Sequence, residues 1–439
     1  MKSKTQKKDK VNIITLGCSK NITDSEQLAG QLHHNGIDVI HENEKLNHNI
    51  VVVNTCGFID KAKEESVNTI LEQVELKKRG KLDKVFVTGC LSERYRKDLS
   101  AEIPEVDDWF GTMELPLLLN RLNADYKKEL LGERLLTTPA HYAWLKISEG
   151  CNRTCSFCAI PLMRGGHISK PEEMIVDEAR RLVKGGVKEI MLIAQELTYY
   201  GLDLYKKRTL PDLLKKLSDI EGLEWIRMHY AYPSKFPMEV IDVMAERPNI
   251  CNYLDMPLQH ISDKMLTAMK RQISKQEITD LLMAIRSKIP GICLRSTMIA
   301  GFPGETEEDA DELIEFLEQY KLDRVGVFTY SHEENTTAHN LTDNLPQEEK
   351  ELRAQRIIET QQEISLEKNK ERIGSVMKVV IDKKEAGRYL GRTEFDSIEV
   401  DNEVIVKSER QLKPGDFVDV RITDAFDYDL EGIAMMING

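Results

Sequence analysis

Residues 143–158 read AWLKISEGCNRTCSFC. An apolar, strand-like stretch from Ala143 to Ile147 leads directly into three cysteines, Cys151, Cys155 and Cys158, spaced C-x3-C-x2-C. Thiolates this close in sequence can converge on one metal centre, and such ligands select zinc, copper(I) or iron–sulfur clusters. Structural zinc sites usually pair a C-x2-C with a second pair or with nearby histidines. No such pair follows, and His167 stands alone. Three protein ligands on a four-iron cube leave one iron open to a small molecule, and ligand number and spacing favour this reading over zinc.

Towards the amino terminus, three strand-like runs each end in a cysteine: NIITLGC at Cys18, NIVVVNTC at Cys56 and KVFVTGC at Cys90. Helical patterns separate them, Ser25 to Asn35 and Lys61 to Lys78, and another follows from Ser92. Short apolar strands alternating with amphipathic helices predict an open parallel sheet with helices on its faces, over residues 11–138. In such α/β sheets, ligands bind beyond the carboxyl ends of the strands. All three cysteines stand at that edge, which suits a second three-thiolate cluster; ordinary buried cysteines are the alternative for any one of them.

Residues 139–372 hold six strand candidates: Ala143–Ser148, Glu189–Gln195, Trp225–Ala231, Tyr253–Gln259, Cys293–Ala300 and Arg324–Ser331. Helical patterns such as Pro171–Lys184, Leu210–Leu217, Pro237–Ala245, Lys275–Ser287 and Glu307–Tyr320 alternate with them. This predicts a partial (β/α)6 barrel, short of the closed eight-fold form and open at one side. Polar residues at the strand ends make a ring: Gln195, Glu196, Asp255, Gln259, Arg295, Ser296 and Tyr330. Gln195 or Glu196 suits a cofactor ammonium and Arg295 a carboxylate, while helix capping is their ordinary alternative use. Gly301, Pro303 and Gly304 shape a tight strand-to-helix loop, and Glu305 and Thr306 suit the start of the next helix. Cys251 and Cys293 read as core residues. Arg164-Gly165-Gly166 reads as a flexible basic turn, with substrate contact or plain surface as its two uses. Gln347 to Glu371 reads as a connecting helix.

In residues 373–439, the runs SVMKVVID, GRYLGRTEF, SIEVDNEVIVKS, DFVDVRITDA and LEGIAMMI alternate in polarity with turn signals between them. They predict a small five-stranded, all-β barrel of the oligomer-binding kind. Such barrels often bind single-stranded nucleic acid through a basic groove, but this one is acidic. A basic protein partner suits it better, with a solvated acidic face as the alternative. The whole chain of 439 residues is acidic too, at a net charge of −13, and no apolar run approaches the roughly 20 residues of a membrane helix. MKSKTQKKDK at the amino terminus lacks an apolar core and reads as a short disordered arm rather than a secretory signal. Eight cysteines in such a chain suggest ligands and core residues in the cytoplasm, not disulfides.

The aromatic Phe157 before the third cysteine, together with the spacing, resembles the signature of the radical S-adenosylmethionine (SAM) superfamily. The layout as a whole resembles its methylthiotransferases, in TLGCSKNITDSE, VVNTCGFIDKAKEES, VTGCLSERY, KISEGCNRTCSFCAIPLMRG, AQELTYYG, DMPLQH, STMIAGFPGET and GRTEFDSIEVDNEV. AQELTYYG and the DSIEVDNEV run are most similar to the branch that modifies a ribosomal protein; the transfer-RNA branch, with an RNA substrate, is the alternative. One departure is Ser169-Lys170-Pro171, where the family usually has Ser-Arg-Pro. The resemblance implies three domains, the last a TRAM barrel, and two 4Fe–4S clusters. Cys151, Cys155 and Cys158 would hold the radical cluster with SAM, and Cys18, Cys56 and Cys90 an auxiliary cluster. Phe157, Gln195, Glu196, Asp255, Gln259 and Arg295 are the expected contacts of SAM. The implied reaction abstracts a β-hydrogen from an aspartate of small-subunit protein twelve and delivers a methylthio group to that carbon. The implied partners are that basic ribosomal protein, docked on the acidic barrel, and an electron donor such as flavodoxin or ferredoxin.

Overall fold

The computed structural model describes residues 9–42, 47–130 and 132–435. The proposed amino-terminal arm, up to residue 8, and the end of the last strand run, from residue 436, lie outside the described residues. The chain forms two compact units. One comprises residues 1–138, 144–152 and 159–181; the other comprises 139–143, 153–158 and 182–439.

The first unit is built on a parallel sheet of β1 (Lys10–Thr15), β2 (Asp38–His41), β3 (Ile50–Thr55), β4 (Lys84–Gly89) and β5 (Asp108–Trp109), in the order β2-β1-β3-β4-β5. Side chains alternate across a strand, so Val52 and Phe86 face one way and Val51, Val53, Val85 and Val87 the other. The first set packs with Leu28 and Leu32 of the helix Ser19–His34. The second packs with Ile70 and Val74 of the helix Asp60–Lys78 and Leu91 of the helix Cys90–Glu102. The helices thus cover both faces and leave the carboxyl edge of the strands open to the loops. Strands β2 and β5 escape the sequence pattern because one is a half-exposed edge of four residues and the other has only two.

Strand β6 (Tyr142–Lys146) is followed by a short antiparallel ribbon of β7 (Ser148–Glu149) and β8 (Ile168–Ser169) in the first unit. The second unit adds β9 (Glu189–Ile193), β10 (Trp225–Met228), β11 (Ile250–Asp255), β12 (Cys293–Ala300) and β13 (Arg324–Thr329). Within the second unit the sheet order is β13-β12-β11-β10-β9, all parallel. With β6, these are the six strands expected, most ending a few residues earlier than read. Cys251 and Cys293 are buried in β11 and β12, and burial pushes the Cys251 thiol up to about 12. Thr306 caps the helix Glu307–Tyr320 in a full capping box with Asp309.

Five strands, β14 (Val376–Glu385), β15 (Arg388–Thr393), β16 (Val404–Lys407), β17 (Phe417–Ala425) and β18 (Leu430–Ala434), close into a barrel in the order β14-β15-β16-β18-β17. Val379, Ile381, Val404, Val406, Val418, Val420 and Ile422 fill it. The run SIEVDNEVIVKS, read as one strand, is a strand only from Val404 to Lys407. Its first half is a loop, from which Asp401 turns inward while Glu399 stays exposed; Asp396, just before the run, is buried too. Asp401 accepts from Tyr253 Oη (2.7 Å) and Arg295 Nε (3.2 Å), and Asp396 accepts from Arg324 (2.7 Å). On the barrel wall, Arg392 bridges Asp382 (2.8 Å) and Glu189 (2.8 Å), and Glu189 also accepts from Arg227 (2.9 Å). Part of the barrel's acidity is therefore spent inside its own unit, where each buried charge has a counter-charge. Among the described residues, no helix is long and apolar enough to cross a membrane.

Candidate functional site

In the first unit, Cys18, Cys56 and Cys90 leave the carboxyl ends of β1, β3 and β4. Cys18 is exposed and the other two are buried. Their charges act on one another: burial pushes the Cys56 thiol up and Cys18 adds to this. Burial takes Cys90 up to about 11, with Arg164 opposing and Cys18 and Cys56 adding. Gly17 permits the approach. Its φ is +91°, and a Cβ there would lie 2.7 Å from Cys56 Cβ and 2.9 Å from its sulfur. The structure thus brings together three thiols from three separate strands.

Arg164, expected in a flexible basic turn at the substrate or at plain surface, is buried. Its Nε donates to Cys90 Sγ (3.3 Å) and its Nη1 to Asp24 (2.6 Å), while Nη2 donates to the side-chain oxygen of Asn21. Lys170, at the departure from the family pattern, pairs with Glu178 at 3.2 Å. Cys151 follows the ribbon, and its N–H donates to Gly165 O (3.1 Å).

In the second unit, Cys155 and Cys158 lie on a turn closed by Cys158 N–H to Cys155 O (3.2 Å). Ser156 anchors it, donating through N–H to Met269 O (3.0 Å) and through Oγ to Ala268 O (2.8 Å). Phe157 packs against Met265, Met269, Ile299, Phe302 and Tyr330. Arg271 donates to Cys155 Sγ (3.2 Å), and Tyr232 Oη lies 3.6 Å from the same sulfur. Neither residue stood out in the sequence, since each lies far along the chain from the cysteine it reaches.

Three of the six expected SAM contacts, Glu196, Asp255 and Arg295, are held by side-chain hydrogen bonds or ion pairs. Glu196 accepts from Arg153 (3.0 Å) and from Thr198 N–H and Oγ1 (2.7 and 2.6 Å). Arg153 is itself sandwiched between Tyr199 and Tyr232, 4.0 and 3.8 Å from their ring centres. Asp255 accepts from Arg295 (3.0 Å), which also grips Asp401. Burial pushes the Asp255 carboxyl up, but Arg295 and His229 outweigh it and hold the group down at about 2. Asp255 at the end of β11 and Arg295 inside β12 thus pair across adjacent strands, and Glu196 braces the turn after β9. Gln195 follows β9, half-buried. Gln259 adopts φ +77°, rare for a residue with a side chain, and locks to β12 through Thr297 O (2.9 Å) and Ile299 N–H (2.8 Å).

Three family models match the chain: the uncharacterized protein family UPF0004 over residues 10–111, the radical SAM superfamily over 145–317 and the TRAM domain over 373–435. A ribosomal protein uS12 methylthiotransferase RimO of Christiangramia forsetii is 59% identical over 98% of this chain and 96% of its own length. A Bacteroides thetaiotaomicron protein of the same name is 54% identical over 97% and 98%. The chain belongs to the RimO family of methylthiotransferases. Among solved structures, the radical SAM methyltransferase TsrM of Kitasatospora setae shares the fold at a TM-score of 0.56 and 14% identity, over 72% of each chain. The cobalamin-dependent radical enzyme OxsB does so at 0.53 and 14%, over 76% of this chain and 55% of its own.

As a radical SAM enzyme, this RimO-family chain uses a 4Fe–4S cluster and SAM. Among the described residues, no three His, Cys, Asp or Glu side chains crowd closely enough to grip a single metal ion. Cluster ligands bind separate irons and need not crowd onto one point. The donors fit a cluster: the sulfurs of Cys90 and Cys155 each receive an arginine N–H, which favours the anionic thiolate.

Proposed function

We propose that the chain methylthiolates ribosomal protein uS12 at the β-carbon of an aspartate, in the cytoplasm. The observation that carries this reading is the gathering of Cys18, Cys56 and Cys90 at one sheet edge, in a chain that also holds the motif Cys151, Cys155 and Cys158. The first set would hold an auxiliary 4Fe–4S cluster and the second the radical cluster. When bound, the radical cluster with SAM supplies one-electron chemistry at unactivated carbon, and the auxiliary cluster supplies sulfur. The chain's own residues hold the donors in place. Ser156 and Phe157 seat the second cysteine turn, and Arg271 and Tyr232 polarise the Cys155 sulfur. Phe157, Gln195, Glu196, Asp255, Gln259 and Arg295 are the proposed contacts of SAM, and the bonds of Glu196, Asp255 and Arg295 within the protein would hold them in place. A flavodoxin or ferredoxin would supply electrons. The outward carboxylates of the barrel, such as Asp419 and Asp424, suit a basic ribosomal partner.

The relatives named above carry the ribosomal-protein name, and nothing in the site favours transfer RNA. The test is the mass of uS12 from ribosomes of cells with and without the gene. A methylthio increment that disappears in the deletion supports the reading; an unchanged mass refutes it and directs attention to the transfer RNA of the same cells.

A further inference from the structure

Arg164 is tied to the loops that carry Cys18, Cys56 and Cys90. Through Nε it reaches the sulfur of Cys90 (3.3 Å), and through Nη2 the side-chain oxygen of Asn21. The Asn21 amide nitrogen in turn donates to Leu16 O (2.7 Å) and Thr55 O (3.0 Å). Leu16 stands two residues before Cys18, and Thr55 directly before Cys56. Asn54 Nδ2 donates back to Asn21 O (3.0 Å), closing the brace. A continuous path of hydrogen bonds therefore runs from the loops of Cys18 and Cys56 to the sulfur of Cys90.

The electrical setting is equally specific. Arg164 also pairs with Asp24 (2.6 Å) and Glu149 (3.4 Å), and both carboxylates are shared with Lys146, Glu149 at 2.6 Å. Two cations against two anions leave the group neutral before any sulfur is counted. The only sulfur contact among the described bonds of Arg164 is the one to Cys90.

We infer that Arg164 is a positioning residue that sets the reduction potential of the auxiliary cluster held by Cys18, Cys56 and Cys90. This rests on the cluster assignment proposed above. Reduction adds an electron to the cluster, so an N–H bond and a positive charge at one sulfur favour the reduced state and raise the potential. Asp24 moderates that charge, and its loss therefore acts in the opposite direction to loss of Arg164.

The test uses the full chain with Cys151, Cys155 and Cys158 all replaced by Ala, reconstituted with iron and sulfide, so that a single cluster titrates. The readout is an electron paramagnetic resonance redox titration. Arg164→Gln should lower the potential, the reduced-to-oxidised ratio at a fixed potential falling about tenfold, about 59 mV for one electron. Arg164→Lys keeps the charge without the planar fork and should fall by less. Asp24→Asn should raise the potential. Equal potentials in all four proteins, or an Asp24→Asn shift in the same direction as Arg164→Gln, overturn the inference while leaving the cluster reading intact. A parent that binds no iron overturns the cluster reading and the inference with it. Should the Arg164 variants fail to fold, the sign of the Asp24→Asn shift decides alone.

Discussion

The helices that leave the cysteine-bearing edge of the first sheet begin differently from two helices of the second unit. In the first unit, the helices that follow β1, β3 and β4 start at Cys18, Ile59 and Gly89, with no side-chain hydrogen bond at the cap. In the second, the helices Lys275–Lys288 and Glu307–Tyr320 start with capping boxes at Ser274 and Thr306. A bare helix start keeps N–H donors and the positive end of the helix dipole; a capping box consumes both within the chain. The bare starts stand at Cys18 and Cys90, two of the three cysteines gathered at that edge. The arginines at the sulfurs differ as well. Arg164 is balanced by Asp24 and Glu149, whereas Arg271 rests on the face of Tyr232, 4.1 Å from its centre. The helix starts at Cys18 and Cys90 have no N-cap side chain on their N–H groups, whereas those at Ser274 and Thr306 are satisfied by their own capping boxes.

The strongest test of this contrast separates the two cysteine sets. Cys56→Ala should abolish the methylthiolated product while reductive cleavage of SAM continues, read by the mass of a uS12 peptide and by release of 5′-deoxyadenosine. Full product from this variant would break the comparison.

Next in size is Glu196→Gln in the second unit, which leaves the buried Arg153 without its counter-charge. Such a loss costs about 3–5 kcal/mol, measurable by urea unfolding. A loss below about 1 kcal/mol would mean that the stacking on Tyr199 and Tyr232 carries Arg153 instead.

Acid should then weigh on the second unit more than on the first. Asp255 lies at about 2 when folded and at about 3.9 when unfolded, so its contribution is fully present above about pH 4 and is lost as pH falls towards 2. The loss is about 2–3 kcal/mol. Glu26 in the first unit is the reverse case: burial raises its carboxyl against the pull of Arg134. Its ionisation costs stability as pH rises through the span between its unfolded and folded values, and acid relieves that cost. Hydrogen exchange at pH 5 and pH 3 should show β11 and β12 loosening more than β1 and β3; equal loosening would contradict the assignment.

The smallest effect tests the caps themselves. Thr306→Ala should cost about 1 kcal/mol, whereas Cys18→Ala in the iron-free chain should stay within about 0.5 kcal/mol, because no side-chain bond is lost. Thermal melts of the two variants compare them directly, and equal losses would remove the distinction between bare and capped starts.

Much of this was legible in the sequence. NIVVVNTC and KVFVTGC are continuous apolar runs because their strands are buried on both faces, and such runs end where a parallel sheet meets its loops. The run Ser397 to Val404 misled because its acidic and apolar residues alternate as a strand's do. Asp401 instead leaves the barrel to meet Arg295 and Tyr253, partners more than 100 residues earlier that no local pattern can signal. Arg295 and Asp255, read as groups for a ligand, also take part in this network, which no local pattern signals. Arg164 beside two glycines looked like a mobile turn, since its burial depends on Asn21, Asp24 and Cys90 from the other end of the unit.

The sequence by itself determined the strand–helix alternation, the strand-end placing of six cysteines and the five-stranded acidic barrel, because periodicity and breaker residues act over a few neighbours. Only the tertiary structure decided which charges remain for a ligand. A buried carboxylate or guanidinium must find its counter-charge wherever the fold brings one, and that choice is made across the whole chain.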